Sequence, residues 1–224
     1  MKPARLPGGR RAASFVSVAV VSVALVPAGL ASAGDPPKPK PPPKGGAGQL
    51  SIASMPNVVL FPAGSAVSGQ LTGVPNVVGI GLTLEQSPYP FKSFKRLADG
   101  STAAGGAYTF AVTPTGNTRY RVTAKTSRRT TSAEVDVLVK KRVTIGARGG
   151  RISGLVSPAH DGDPVELQRR SHGGYRTVET GGLAGAGTAA GRYRFIVHRA
   201  GVYRARVPAD ADHLTGTSSS RRVR

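Results

Sequence analysis

Two antiparallel β-sandwiches in tandem is the architecture this 224-residue chain predicts. Three observations carry it: an internal duplication, period-two alternation of apolar residues, and turn residues at short intervals. Val67-Ser-Gly-Gln-Leu-Thr-Gly returns as Ile152-Ser-Gly-Leu-Val-Ser-Pro, and Phe91-Lys-Ser-Phe as Tyr175-Arg-Thr-Val. Thr102-Ala-Ala-Gly returns as Thr188-Ala-Ala-Gly, and Tyr108-Thr-Phe-Ala-Val as Tyr193-Arg-Phe-Ile-Val. Tyr120-Arg-Val returns as Tyr203-Arg-Ala-Arg-Val. All five matches keep the same order at offsets of 83 to 86 residues. Such a unit is too long for a solenoid repeat and suits a small autonomous domain. The two domains are expected over 49–143 and 144–224.

The segment preceding them has two parts. Met1–Arg11 is basic, Ala12–Leu30 is apolar apart from small hydroxyls, and Ala31-Ser-Ala33 offers small residues for cleavage before Gly34. That is the layout of a secretory signal peptide over 1–33; left uncleaved, it would be the chain's one route to a membrane. Residues 34–48 form a linker in which Asp35-Pro-Pro-Lys-Pro-Lys-Pro-Pro-Pro-Lys44 precedes Gly45-Gly-Ala-Gly48. Proline fixes φ and removes donors, so the first part should be extended polyproline II, and the glycines a flexible joint.

Within the domains, alternation appears at Leu82-Thr-Leu84, Tyr108–Val112, Val135–Val139, Val165-Glu-Leu167 and Tyr193–Val197. Gly, Pro, Asn and Asp separate these runs, and after the leader no stretch shows helical spacing. Strands are expected near 49–54, 66–71, 77–86, 91–97, 107–113, 119–126 and 133–140 in the first unit. The second unit repeats them near 141–147, 150–156, 164–170, 175–180, 191–198, 202–208 and 217–223. Seven strands per unit is the count of an immunoglobulin-like sandwich. Tyr120 and Tyr203 each follow a turn and open the sixth strand, where such sandwiches place a tyrosine whose hydroxyl bonds back to the turn. Only Lys141-Arg142 separates the last strand of one unit from the first of the next, so the link has little flexible reach.

The series Ser153-Gly, Val165-Glu-Leu-Gln-Arg-Arg170, Tyr175-Arg-Thr-Val, Gly191-Arg-Tyr-Arg-Phe, Gly201-Val-Tyr-Arg-Ala-Arg-Val and Ala211-Asp-His-Leu-Thr-Gly-Thr-Ser218 resembles a known family. It is similar to the immunoglobulin-like or fibronectin-type-III-like modules of secreted actinobacterial proteins. The resemblance covers 144–224 closely and 49–143 more loosely, for Gln86-Ser-Pro-Tyr-Pro90 replaces the basic turn of the second copy. It implies the fold and an extracellular or wall-associated setting. It implies no single activity, since such modules serve as spacers, adhesins and accessory domains.

Composition narrows the chemistry. There is no Cys, hence no disulfide staple and no thiol nucleophile, and no Trp. No Gly-x-Ser-x-Gly elbow occurs, and Gly181-Gly-Leu-Ala-Gly-Ala-Gly187 lacks the Lys-Ser/Thr ending and following helix of a phosphate loop. His160-Asp-Gly-Asp163 and Asp210-Ala-Asp-His213 carry metal-capable side chains, but they read as turns and offer too few oxygens for calcium. Were they at opposite ends of the sandwich, they could not cooperate. No catalytic, cofactor-binding or metal-binding residue is therefore assigned, and the chain is not expected to be an enzyme.

The net charge of +20 points to anionic partners, although the second unit's use of Arg without Lys is also what a GC-rich coding bias produces. Alternation turns Tyr120, Val122 and Ala124 inward and Arg119, Arg121, Thr123 and Lys125 outward. In the second copy Arg204 and Arg206 are outward around Tyr203 and Ala205. Arg119, Arg121, Lys125, Arg204 and Arg206 are thus the candidate contacts to anionic cell-wall polymers or a surface protein. Nucleic acid is not expected, because stacking platforms are missing. The function expected is structural or adhesive contact with anionic surface material; the alternative is a module recognising a glycan or partner protein through its loops.

Overall fold

The computed structural model describes residues 48–185 and 190–224. The expected signal peptide, the proline-rich stretch apart from Gly48, and part of the Gly181–Gly187 loop lie outside the described residues. The first domain is built from β1 (Gln49–Leu50), β2 (Ala53–Met55), β3 (Val58–Leu60), β4 (Ser65–Thr72), β5 (Gly81–Pro88), β6 (Lys95–Ser101), β7 (Ala107–Val112), β8 (Thr118–Ala124), β9 (Thr130–Thr131) and β10 (Val135–Lys140). The second contains β11 (Arg142–Val143), β12 (Gly146–Arg148), β13 (Arg151–Ser157), β14 (Pro164–Ser171), β15 (Gly174–Gly182), β16 (Gly191–Ile196), β17 (Gly201–Val207), β18 (Gly216–Thr217) and β19 (Arg221–Val223). One 3-10 turn, Ala104–Gly106, is the sole helical element among them.

Each domain is two facing sheets with an immunoglobulin-like order. In the first, β1 and β2 flank one side of β4 and β7 the other, while the second sheet runs β3-β10-β8-β5-β6 with β9 beside β8. In the second, β11 and β12 flank β13 opposite β16, and β15-β14-β17 continues into β18 and β19. The inner faces supply two separate cores. One gathers Leu50, Val67, Leu71, Leu82, Leu84, Phe110, Tyr120, Val122, Val137 and Val139. The other gathers Ile152, Val156, Val165, Leu167, Tyr193, Phe195, Tyr203, Ala205 and Val207. Even an irregularity is shared, since the pairing shifts by a residue at Leu84/Glu85 and again at Leu167/Gln168.

The expected strands are present, but 49–54, 141–147 and 217–223 are each split in two, one pair is shifted, and β3 and β9 are additional. The first expected strand is split at Ser51-Ile52, where Ser51 N and Oγ both bond to Gln70 O. The expected strands at 77–86 and 91–97 lie a few residues later, at β5 and β6. An unforeseen strand, β3, runs parallel to β10, Val58 to Leu60 matching Leu138 to Lys140, within otherwise antiparallel sheets. Tyr203 Oη donates to Arg199 O at 2.7 Å, closing the expected corner. Tyr120 is buried at the matching place with its hydroxyl toward Thr118.

A second pair of tyrosines repeats more faithfully still. Tyr108 Oη donates to Ser51 O at 2.5 Å, and Tyr193 Oη to Thr144 O at 2.6 Å. Each passes over a glycine, because a Cβ on Gly69 would lie 2.0 Å from Ser51 O and one on Gly154 2.0 Å from Thr144 O. Only glycine admits so close an approach of backbone and ring hydroxyl. Burial pushes the Tyr108 hydroxyl up to about 12 and raises Tyr193 as well.

One residue, Lys141, separates β10 from β11. Its N–H donates to Leu214 O, and Leu214 N–H donates to Val139 O at 2.7 Å. The loop around Leu214 also reaches the first domain at Asp212 O, which accepts from Asn117 N at 2.8 Å, and at His213 Nε2, 2.9 Å from Thr115 O. Since a carbonyl only accepts, that ring nitrogen carries the hydrogen. These bonds leave no free linker between the sandwiches.

Candidate anion-contact surface

The basic row lies on the outer face of the sheets containing β8 and β17. Cross-strand register gives four of its five residues a partner. Arg119 stands opposite Asp136 and Arg121 opposite Glu85. Arg204 stands opposite Gln168 and Arg206 opposite Glu166. The corresponding bonds are Arg119 Nε to Asp136 Oδ1 at 2.8 Å, Arg121 Nε to Glu85 Oε2 at 2.8 Å, Arg204 Nε to Gln168 Oε1 at 2.9 Å and Arg206 NH1 to both Glu166 oxygens at 2.9 Å. Asp136, by hydrogen bond and by charge, raises the Arg119 guanidinium still further above neutrality.

Aromatic rings cover three of these guanidinium groups. Arg119 lies 4.6 Å from the Phe91 ring centre, Arg121 4.0 Å from Phe94 and Arg204 3.9 Å from Tyr175. Arg121 and Arg204 are therefore equivalent in both copies, each held by a polar residue on the next strand and an aromatic beyond it. Thr123, expected outward, is buried beneath Thr131 and Glu85. Lys125 follows the end of β8, exposed, with its stem along Gly81. The row thus combines half-buried, internally partnered arginines with one open lysine.

The opposite sheet of the second domain is different. Outward positions on β12, β13 and β16 hold Arg148, Arg151, Arg192 and Arg194, all exposed. None has an acidic side chain within ion-pair distance among the described residues. Arg148 and Arg151 face each other across the Gly149-Gly150 turn, whose two positive φ angles, 53° and 72°, suit a tight hairpin. Arg194 is opposite Ser153 and Arg192 opposite Leu155. The motif Gly191-Arg-Tyr-Arg-Phe already signals this alternation, but the sequence reading did not single out its arginines.

The two metal-capable turns meet at one place. Lys141 Nζ lies 3.2 Å from Asp163 Oδ2 and 2.6 Å from Asp210 Oδ2, with only 2 % of the side chain exposed. Asp163 Oδ2 also accepts from His160 N, and Asp210 Oδ1 from Asp212 N and His213 N. His213 Nδ1 sits 2.9 Å from Asp212 Oδ1. Burial alone would raise the Asp210 carboxyl, but the hydrogen bond and charge of Lys141, with smaller contributions from Asp212 and His213, hold it down at about 2. The ammonium between Asp163 and Asp210 makes this cluster a charge-paired seal on the junction.

No family model matches the chain, and no curated protein matches it. Among solved structures it is similar to the human OSCAR ligand-binding domain at 13% identity and a TM-score of 0.31, over 78% of this chain and 98% of that one.

Proposed function

We propose that the protein is a secreted or cell-wall-associated, non-catalytic pair of immunoglobulin-like modules of the bacterial type, acting in structural or adhesive contact with anionic surface material. The supporting observation is the distribution of charge over two joined sandwiches. Residues 49–143 hold eleven Lys and Arg against four Asp and Glu, and residues 144–224 hold thirteen against six. Both modules are thus +7 and would be drawn together to one polyanionic surface. Lys125 and the outer rims of Arg119, Arg121, Arg204 and Arg206 supply part of that contact.

Retention of the full chain on purified cell walls tests the reading. It should bind at about 0.01 M salt, where charges act over about 30 Å, and be released at about 1 M, where they act over about 3 Å. No retention at low salt would overturn it. Retention that survives high salt and is lost on loop replacement would instead favour recognition of a glycan or protein through the loops.

A further inference from the structure

We infer that the outer face of the β12-β13-β16 sheet is the seat of a linear, phosphate-bearing polymer, held by Arg148, Arg151, Arg192 and Arg194. The inference rests on the proposed contact with anionic material and adds to the β8/β17 row a second surface, which holds the polymer.

The first reason is that no acidic side chain neutralises these arginines among the described residues. Arginines on the β8 and β17 faces have Asp136, Glu85, Gln168 and Glu166 directly opposite them. On the β13/β16 face the opposite residues are another arginine, a serine, a leucine and an isoleucine. Like charges placed directly opposite on neighbouring strands are destabilising. Arg148 against Arg151, with Arg194 on the diagonal, is therefore a cluster whose repulsion an external anion would relieve. Arg148, Arg151, Ser153 and Arg194 line one shallow depression, and Ser153, Leu155, Arg192 and Arg194 line the adjoining one.

The second reason is that composition bias does not account for the cluster. Repeat offset and sheet position match Ala66, Ala107 and Thr109 of the first domain to Arg151, Arg192 and Arg194. The outer face of that first sheet, on β4 and β7, carries Ala66, Ser68, Gln70, Ala107, Thr109 and Ala111, with no charge at all. A coding preference for arginine acting evenly on exposed positions would have marked both copies.

Geometry supplies the third reason. Outward positions recur about every 7 Å along a strand, and strands lie about 4.8 Å apart. Guanidinium groups at these spacings form a flat, repeating array that suits successive phosphates of a chain better than one isolated ion. The planar fork of arginine meets phosphate with two parallel bonds. Glycines at 146, 149 and 150 place no side chains beside these arginines.

Residues borrowed from the first copy give a test that respects the fold. The full chain carrying Arg151→Ala, Arg192→Ala and Arg194→Thr has at each position what the first domain already tolerates. Binding to long-chain inorganic polyphosphate should weaken roughly thirtyfold at low salt, about threefold for each exposed ion pair lost. The slope of log affinity against log salt should become shallower by about one per lost phosphate contact. A Lys92→Ala, Arg128→Ala control, at exposed basic residues outside both surfaces, should leave both nearly unchanged. Equal binding by the triple variant would overturn the inference, as would tighter binding of polyuridylate than of polyphosphate, or binding confined to phosphatidylglycerol vesicles. Retention of the wild-type chain on cell walls but not on polyphosphate would overturn this assignment and leave the proposed function standing. Failure on the walls themselves would remove the proposed function.

Discussion

The two sandwiches carry the same net charge on the same frame and expose it differently. In the first, acids stand opposite Arg119 and Arg121, and the β4/β7 face is neutral. In the second, a carboxylate and an amide partner Arg206 and Arg204, and the β13/β16 face is left with four arginines that have no acidic partner among the described residues. What both copies share is the geometry of core and corner: Tyr108 and Tyr193 over Gly69 and Gly154, Ser132 and Ser218 capping Val122 N and Ala205 N at 2.9 Å, Gly100 and Gly181 under Phe110 and Phe195. The frame admits few substitutions because its atoms are close-packed, whereas an outward side chain is free to diverge. Divergence between the copies therefore marks where a partner could be accommodated.

If the frame is truly common, damage to it should cost the same in either copy. Gly69→Ala and Gly154→Ala force a Cβ to within 2.0 Å of a carbonyl oxygen, so backbone must move. Each should cost about 3 kcal/mol, at the upper end of overpacking. Urea unfolding followed by tyrosine fluorescence checks this. Unequal costs would show that one strand pair yields where the other does not, and that the likeness is only of outline.

The junction offers a feature that neither core repeats. Lys141→Met removes the cation between Asp163 and Asp210, which are themselves partly exposed, so about 2 kcal/mol should be lost. Its pH dependence has a definite sign. Asp210 is held near 2 in the folded chain, against about 3.9 when unfolded, so it contributes stability above about pH 4 that disappears as pH falls toward 2. Acid titration of the wild type should reveal that loss, worth at most about 2–3 kcal/mol, and Lys141→Met should flatten it. A titration of the variant that parallels the wild type would assign the acid sensitivity elsewhere.

Much of the fold was legible because its signals are local. Alternation at Tyr108–Val112 and Tyr193–Val197 marks strands and their inward faces, and turn residues mark where strands stop. Val58–Leu60 escaped because three residues hold too little alternation to read, and their parallel partner is some eighty residues away. The site was less legible for a related reason. Sequence shows that Arg119, Arg121, Arg192 and Arg194 all point outward, and that Glu85, Asp136 and Glu166 do too. It does not show which strand lies beside which, and in what register. Only pairing reveals that Asp136 faces Arg119, whereas Ser153 and Leu155 face Arg194 and Arg192. The meeting of the His160–Asp163 and Asp210–His213 turns at Lys141 is long-range information of the same kind.

The smallest expected effect discriminates most sharply between the two kinds of arginine. Arg121→Ala breaks a bond to a mostly buried Glu85 and uncovers Phe94, so it should cost about 1 kcal/mol in the absence of any ligand. Arg151→Ala removes a charge that faces Arg148 and has no acidic partner among the described residues, so it should be neutral or stabilising by a few tenths of a kcal/mol. Raising salt should narrow the difference, because screening weakens the Glu85 attraction and the Arg148 repulsion together. Thermal unfolding of the two variants at low and high salt measures it. A residue that carries the fold loses stability when removed, while one that serves only a partner leaves the free protein no worse. Equal destabilisation by both changes would mean that the β13/β16 arginines are frame after all, with partners supplied within the chain.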